Sequence, residues 1–231
     1  MTIPASARSP KNKTPAVREL LKIRAYDELR SRLSDCYYEP GAILSERQLA
    51  AELGMSKTPV KAALERLEME GYITVSPQSG IIVRALTIDE IADIYEIRIA
   101  VECYVIKTIT GRITADQLAL WERTLTDLEH VAAPSDKRRQ QLVELDERFH
   151  SLPREFLGNG QILQTMQQLS VKNRMVINSV FATLPDRAHQ SLVEHLEIIE
   201  AVRSGNALRA SELMESHIRA GHEILCKARN Q

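Results

Sequence analysis

Apolar residues recur at intervals of three and four along most of the chain, which is the period of amphipathic helices. The first such stretch covers about residues 17–33. A short helix is predicted over 45–53, because Ser45 and Gln48 have the spacing of a capping box and Gly54 follows the segment. Both segments are predicted to be helices with one apolar face.

The next segments predict a third helix and a β-hairpin. Ser56 can cap a helix that has Pro59 in its first turn and ends at Gly71. Two β-prone runs, 72–75 and 81–84, then flank a turn rich in Ser, Pro and Gly. A helix, a short helix, a tight turn, another helix and a hairpin are the elements of a winged helix-turn-helix, whose second helix of the pair enters the DNA major groove.

The rest of the chain predicts only helices. Thr87 and Glu90 form another capping box, which begins a long helix over 88–109. Further helical patterns, each bounded by Gly, Pro or a capping residue, cover 114–132, 137–157, 160–181, 186–204 and 207–228. The predicted fold is therefore mainly α, with an N-terminal winged helix-turn-helix and a C-terminal all-helical bundle of about six helices.

Composition is consistent with a globular, helical chain, since 44% of residues are hydrophobic and only 4% are aromatic. We found neither the ~20 apolar residues of a membrane span nor the apolar core of a signal peptide, so a cytoplasmic location without a membrane partner is expected. Cys36, Cys103 and Cys226 are widely spaced. They favour buried or unused thiols over a disulfide framework or a thiolate metal site.

The net charge of −1 conceals two segments of opposite sign. Residues up to 85 carry 13 basic and 10 acidic side chains, whereas the remainder carries 17 and 21. Six of the basic residues lie before residue 25, where Glu19 is the only acid, and such a segment suits phosphate contacts. We expect a flexible basic arm over 1–16, a DNA-binding domain over 17–85 and a helical domain over 86–231.

Four side chains near the predicted helix-turn-helix are candidates for DNA contact. Lys57, Thr58 and Lys61 lie at the N-terminal end of the recognition helix, away from its apolar stripe, and Arg47 lies on the preceding helix. An arginine forks to guanine, whereas a lysine acts as a point charge. We therefore predict base contact for Arg47 and divide the two lysines between bases and phosphates.

The run PGAILSERQLAAELGMSKTPVKAALERLEMEGYITVSPQSGIIV resembles the DNA-binding domain of the GntR family of bacterial transcription regulators. The resemblance covers about residues 17–84. It implies DNA-contacting positions at Arg47, Ser56, Lys57, Thr58 and Lys61, and a wing held by Gly80. Lys57 and Lys61 stand where that family usually has arginine.

Four polar side chains fall on apolar faces of the predicted bundle. Asp146 and His150 lie one turn apart on a face with Phe149, and His195 and His217 lie on the apolar faces of two later helices. An unpaired buried polar group costs about 1–3 kcal/mol, so a shared partner is expected. A divalent cation supplies one, and this donor set suits zinc, nickel, manganese, cobalt or ferrous iron.

Residues 88–226 resemble the FCD domain, the ligand-sensing bundle of the FadR-type branch of the same family. The matched features are YEIRIAVE, DERFH followed by GN, EHLEIIEAVRSGN and a final His217. The resemblance implies metal ligation by Asp146, His150, His195 and His217. Pro153 and the bulky Phe156 and Leu157 depart from the family pattern. His130, His189 and His222 are interpreted as ordinary core or surface residues.

Two further residues are candidates for contact with an effector. Arg98 lies on the inward stripe of its helix, one turn before Glu102. It either binds the carboxylate of an organic acid or forms a structural ion pair with Glu102, and we favour the ion pair. Asn173 lies among apolar residues of its helix, where it could line a pocket.

These features predict a homodimeric repressor that binds an inverted repeat in double-stranded DNA and responds to a small carboxylate bound at a metal. One alternative is a regulator that senses the metal itself. Another is a metal-dependent hydrolase in which Glu144 or Glu147 acts as base, although a helix-turn-helix has no part in that chemistry. A regulator without enzymatic activity is the expected function.

Overall fold

The computed structural model describes residues 14–77, 79–126 and 136–229. Most of the predicted arm, His130 and the side chain of Cys226 lie outside the described residues. The chain divides into two compact units. The N-terminal unit comprises the residues up to Arg32 and Tyr38–Arg84, and the C-terminal unit comprises Leu33–Tyr37 and the residues from Ala85 onward.

The N-terminal unit contains three helices and a small sheet. Its helices are α1 (Pro15–Ser34), α2 (Glu46–Glu52) and α3 (Lys57–Met69), and its strands are β1 (Ile43–Leu44), β2 (Ile73–Ser76) and β3 (Gly80–Val83). The antiparallel sheet has the order β1-β3-β2, with Val75 opposite Ile81 and Leu44 also opposite Ile81 on the other side. The predicted winged helix-turn-helix is confirmed. Strand β1 was not predicted, because two residues are too few to show an alternating pattern.

Helices α2 and α3 begin in different ways. The Ser45 side chain accepts a hydrogen bond from the backbone N–H of Gln48, as the capping motif predicts. The Gln48 side chain bonds to Glu52. Ser56 is the N-cap of α3 but makes no side-chain capping hydrogen bond to a described residue, and it is exposed. Its hydroxyl is thus available at the start of α3.

The C-terminal unit contains six helices among the described residues, as predicted. They are α4 (Ile88–Ile109), α5 (Ala115–Thr126), α6 (Asp136–Leu157), α7 (Gly160–Thr183), α8 (Pro185–Arg203) and α9 (Ala207–Arg229). The complete capping box of Thr87 and Glu90 begins α4. Helices α4 and α9 approach closely, since a β-carbon at Gly221 would lie 3.0 Å from the Tyr95 hydroxyl.

The core of this unit is made by large apolar side chains from all six helices, including Ile106, Trp121, Phe149, Ile177, Ile198 and Ile218. Several polar or charged side chains of the helical unit are also buried, among them Arg98, Glu102, His150, His195 and His217. Among the described helices, none is long and apolar enough to cross a membrane. The buried polar residues are therefore the unusual feature of an otherwise ordinary helical core.

Gly80 satisfies two requirements at the base of the wing, and this generates a prediction. Its φ is +87°, and a β-carbon there would lie 2.8 Å from the backbone oxygen of Leu44. Gly41 has a φ of +86° with nothing within 4 Å of the added carbon, so it is a matched control. Gly41→Ala should cost about 1–2 kcal/mol from backbone strain. Gly80→Ala should cost about 1–3 kcal/mol more because the backbone must shift.

Urea unfolding of the two variants measures this difference. Equal losses of unfolding free energy would show that the contact with Leu44 is unimportant.

Candidate metal centre and nucleic-acid interface

The four predicted metal ligands lie together in the core of the C-terminal unit. Asp146 and His150 come from one face of α6, His195 from α8 and His217 from α9. One ligand atom from each lies within 4.8 Å of all the others, and all four residues are buried. The structure thus brings together residues that are up to 71 positions apart in the sequence.

The distances in this cluster suit a metal ion. The His217 Nε2 lies 3.2 Å from the Nε2 of both His150 and His195. Zinc–imidazole bonds of about 2.0–2.1 Å place two ligand nitrogens about 2.9–3.4 Å apart at tetrahedral or octahedral angles. The Asp146 carboxylate is slightly more distant, at 3.7 Å from His195 Nε2 and 4.0 Å from His150 Nε2. One carboxylate and three imidazoles therefore surround a common point.

The candidate DNA-contacting residues lie on the surface of the N-terminal unit. Arg47 is exposed on α2, and Lys57, Thr58 and Lys61 are exposed on the first turns of α3. The opposite face of α3 is buried through Val60, Ala63, Leu64 and Leu67. Gly80 begins the second strand of the wing, β3. These positions are those that a helix-turn-helix presents to DNA.

Comparison with known proteins identifies both units. The FCD domain model matches residues 93–220, and the model described as bacterial regulatory proteins, gntR family, matches residues 21–83. The chain belongs to the GntR family. It is a transcription regulator of the GntR/FCD type, as the sequence resemblance predicted.

Individual members of the family are similar over most of the chain. YdhC of Bacillus subtilis, an uncharacterized HTH-type transcriptional regulator, is 24% identical and covers 84% of this chain and 86% of its own. The transcriptional repressor RspR of Escherichia coli is 26% identical over 89% of both chains. The structure of E. coli McbR/YncC has a TM-score of 0.75, 20% identity, and covers 90% of this chain and 98% of that one. At this identity, McbR/YncC supports the fold alone.

Two carboxylates orient two of the three clustered imidazoles, those of His150 and His217. His150 Nδ1 lies 2.5 Å from Glu102 Oε2, and His217 Nδ1 lies 2.6 Å from Glu194 Oε2. An Nδ1–H that donates to a carboxylate leaves the Nε2 lone pair of the same ring unprotonated. Burial and the neighbouring imidazoles of His217 and His150 also hold the pKa of His195 well below its usual range. Three imidazoles whose Nε2 atoms converge on one point, with a carboxylate beside them, form a donor set that fits a divalent cation.

Arginines hold both orienting carboxylates in place. Arg187 donates two hydrogen bonds to Glu194, at 2.9 and 2.7 Å, and Arg98 donates one to Glu102 at 2.8 Å. The pKa of Glu102 lies well below its usual range, because His150 and Arg98 outweigh the opposite effect of burial. Glu194 was missed from the sequence, although it directly precedes a predicted ligand.

The predicted effector residues of the FCD domain contact each other. Arg98 forms the ion pair with Glu102 that we favoured and also donates to Asn173 Oδ1 at 3.1 Å. Arg98, Asn173 and the ligand His150 line one cavity, and Arg98 also lines a smaller cavity with Asp146 and His217. Arg98 therefore forms a structural ion pair and also lines the cavity.

Trp121 compensates for the proline inside α6. Pro153 has no N–H to donate to the carbonyl of Phe149, four residues earlier. The Trp121 Nε1–H donates to that carbonyl instead, at 2.9 Å. The Phe149 ring stacks on the imidazole of His195 at a centroid distance of 3.6 Å and lies next to His150 in the chain. The indole N–H thus takes the place of the missing backbone N–H, and α6 stays intact next to the candidate ligand His150.

This replacement predicts an energetic coupling between two residues that are distant in sequence. Trp121→Phe removes the donor and should reduce the unfolding free energy by about 1–3 kcal/mol, beyond the loss of packing. Pro153→Ala restores a backbone N–H at position 153. The loss caused by Trp121→Phe should therefore be smaller in the Pro153→Ala background, as a double-mutant cycle in urea measures. Equal losses in both backgrounds would contradict this explanation.

Proposed function

We propose that this regulator is a homodimeric repressor that leaves its operator when a small organic acid binds at a divalent metal ion. The ion is held by Asp146, His150, His195 and His217. The observation that carries the proposal is the convergence of three imidazoles and one carboxylate inside the FCD domain of a chain that also has a helix-turn-helix. The name of the relative RspR, a repressor, supports the direction of the response.

Residues 17–85 bind DNA in this proposal, and the arm 1–16 adds phosphate contacts. Arg47 contacts base edges, and Ser56, Lys57, Thr58 and Lys61 divide between bases and phosphates, while Gly80 keeps the wing in place. Residues 86–231 bind the effector and form the dimer, so that two winged domains bind an inverted repeat in the cytoplasm.

Zinc is the ion we propose, because a nitrogen-rich set of three imidazoles and one carboxylate suits it, although nickel, manganese, cobalt and iron accept the same ligands. When bound, the ion supplies a positive charge and open coordination positions for an acid's carboxylate. Glu102 and Glu194 keep the Nε2 atoms directed at it. Arg98 and Asn173 line the adjoining cavity and contribute to effector binding.

The contacts of the acidic residues favour a sensor over a hydrolase. Glu147 forms an ion pair with Arg174. The side chain of Glu144 is 64% exposed and lies 3.7 Å from the same arginine. Pairing with one arginine is a structural role for both carboxylates, and the helix-turn-helix of the same chain has no part in hydrolysis.

The metal requirement is tested with purified protein and its own upstream DNA. We expect about one divalent ion per chain by elemental analysis, lost in His195→Ala or His217→Ala and kept in His189→Ala, whose imidazole is exposed. A panel of small carboxylic acids should release the DNA from wild-type protein only when metal is present. Release by metal alone would instead show a metal sensor, and a metal-free wild type with a normal acid response would refute the metal assignment.

Base contact by Arg47 is tested by substitution. Arg47→Ala should weaken binding to the operator by about 1–3 kcal/mol and binding to unrelated DNA by much less, because only the operator offers the guanine edge. Arg123→Ala, which removes an exposed arginine of the FCD domain, is the control and should change neither affinity. Filter binding at fixed salt measures both. Equal weakening on both DNAs would show that Arg47 contacts phosphate alone.

A further inference from the structure

A cavity of the C-terminal unit lies beside the candidate metal cluster. It has a volume of about 450 Å³ and is lined by side chains of α6 and α7 and by Arg98 of α4. Small-molecule sites typically measure about 300–1,000 Å³. The cavity that contains Asp146 and His217 measures only about 30 Å³, which is the space of a water molecule. Arg98 lines both, so the larger space adjoins the cluster and is the one that fits an organic ligand.

The chemistry of the wall is mixed. Met166 and Leu169 of α7 give it an apolar side, while Ser151, Ser170 and Asn173 offer hydrogen bonds. Such a wall suits a short carbon chain with polar substituents. The charged side chains of the wall are three arginines and three glutamates, so the ligand's charge depends on which arginine is left incompletely paired.

Arg154 is a cation whose charge is incompletely paired within this cavity. Its nearest carboxylate is Glu102, at 3.7 Å, and its side chain is only 14% exposed. Glu102 already accepts a hydrogen bond from Arg98 at 2.8 Å and faces His150 Nδ1 at 2.5 Å. Among the described residues, none accepts a hydrogen bond from the Arg154 guanidinium. Two guanidiniums thus share one carboxylate.

The electrostatic environments of the two arginines differ accordingly. Burial lowers the pKa of Arg154, and the opposite effects of Glu102 and, more weakly, of Glu147 and Glu155 do not offset it. Burial also acts to lower the pKa of Arg98, but Glu102 and other groups outweigh it, and the pKa of Arg98 is raised. Arg148, a third arginine of the wall, is 47% exposed and pairs with Glu155 at 2.9 Å. Arg154 is therefore the arginine of this wall that lacks a full counter-charge.

We propose that the effector carries two anionic groups and that Arg154 binds the one that is not directed to the metal. Arg154 is then the residue that determines the class of effector. A guanidinium can bind a carboxylate or a phosphate through two parallel hydrogen bonds, which suits either a dicarboxylic acid or a phosphorylated hydroxy acid. This inference rests on the proposed function, because the first anionic group needs the metal centre.

Isothermal titration calorimetry on the metal-loaded full-length protein tests the proposal with matched pairs of acids. The acids with two anionic groups are succinate, adipate and 3-phosphoglycerate, and their partners with one anionic group are succinamate, adipamate and glycerate. We expect at least one acid with two anionic groups to bind tenfold or more tightly than its partner. The succinate and adipate arms report a carboxylate at Arg154, and the 3-phosphoglycerate arm reports a phosphate.

Three variants test whether Arg154 causes this preference. Arg154→Met should abolish the preference for acids with two anionic groups while metal content and operator affinity stay unchanged. Arg148→Met should keep the preference. Arg154→Lys retains the charge without the fork and should give an intermediate ratio, which provides a second measurement if the methionine variant folds poorly.

Two results would overturn the proposal: a wild type that binds both members of every pair equally, or an Arg154→Met that weakens both members by the same factor. Failure of the proposed function gives a different result. In that case the wild type would contain no metal, or no acid of either charge would release the operator.

Discussion

Three buried imidazoles that direct their Nε2 lone pairs at one another are the constraint on which the helical unit depends. Glu102 holds the Nδ1 of His150, Glu194 holds the Nδ1 of His217, and the Phe149 ring stacks on His195. Lone pairs at 3.2 Å repel unless a proton or a metal ion lies between them. A metal ion held by such a cluster would add its binding free energy to that of folding, because the unfolded chain does not hold the four side chains together.

The charges around the centre form a sequence of alternating sign. The imidazoles face Glu102 and Glu194, and these carboxylates in turn face Arg98 and Arg187. Glu102 and Glu194 thus each have an arginine of opposite sign, which is the condition under which charges are tolerated in a core. Arg98 and Arg187 line the cavities, so a ligand that enters meets side chains that are already coupled to the clustered histidines.

Local patterns predicted most of the fold and pointed to the four side chains that cluster in the core of the helical unit. Helix α4 begins at the residue that the Thr87 capping box indicates, and the spacing of Asp146 and His150 placed both on one inner face. What the sequence could not show depends on contacts between distant segments. Glu102 was interpreted as the partner of Arg98, one turn away, whereas its other oxygen faces His150 of another helix. Glu194 is adjacent to His195 but orients His217, 23 positions later.

Pro153 and Trp121 depend on each other through the Phe149 carbonyl. Without the tryptophan, the proline would leave this carbonyl without a donor, beside the candidate ligand His150. The tryptophan without the proline costs the carbonyl nothing, because a carbonyl oxygen can accept two hydrogen bonds. A segment that carries this proline, moved into a relative that lacks the indole, would therefore introduce an unpaired carbonyl into the core.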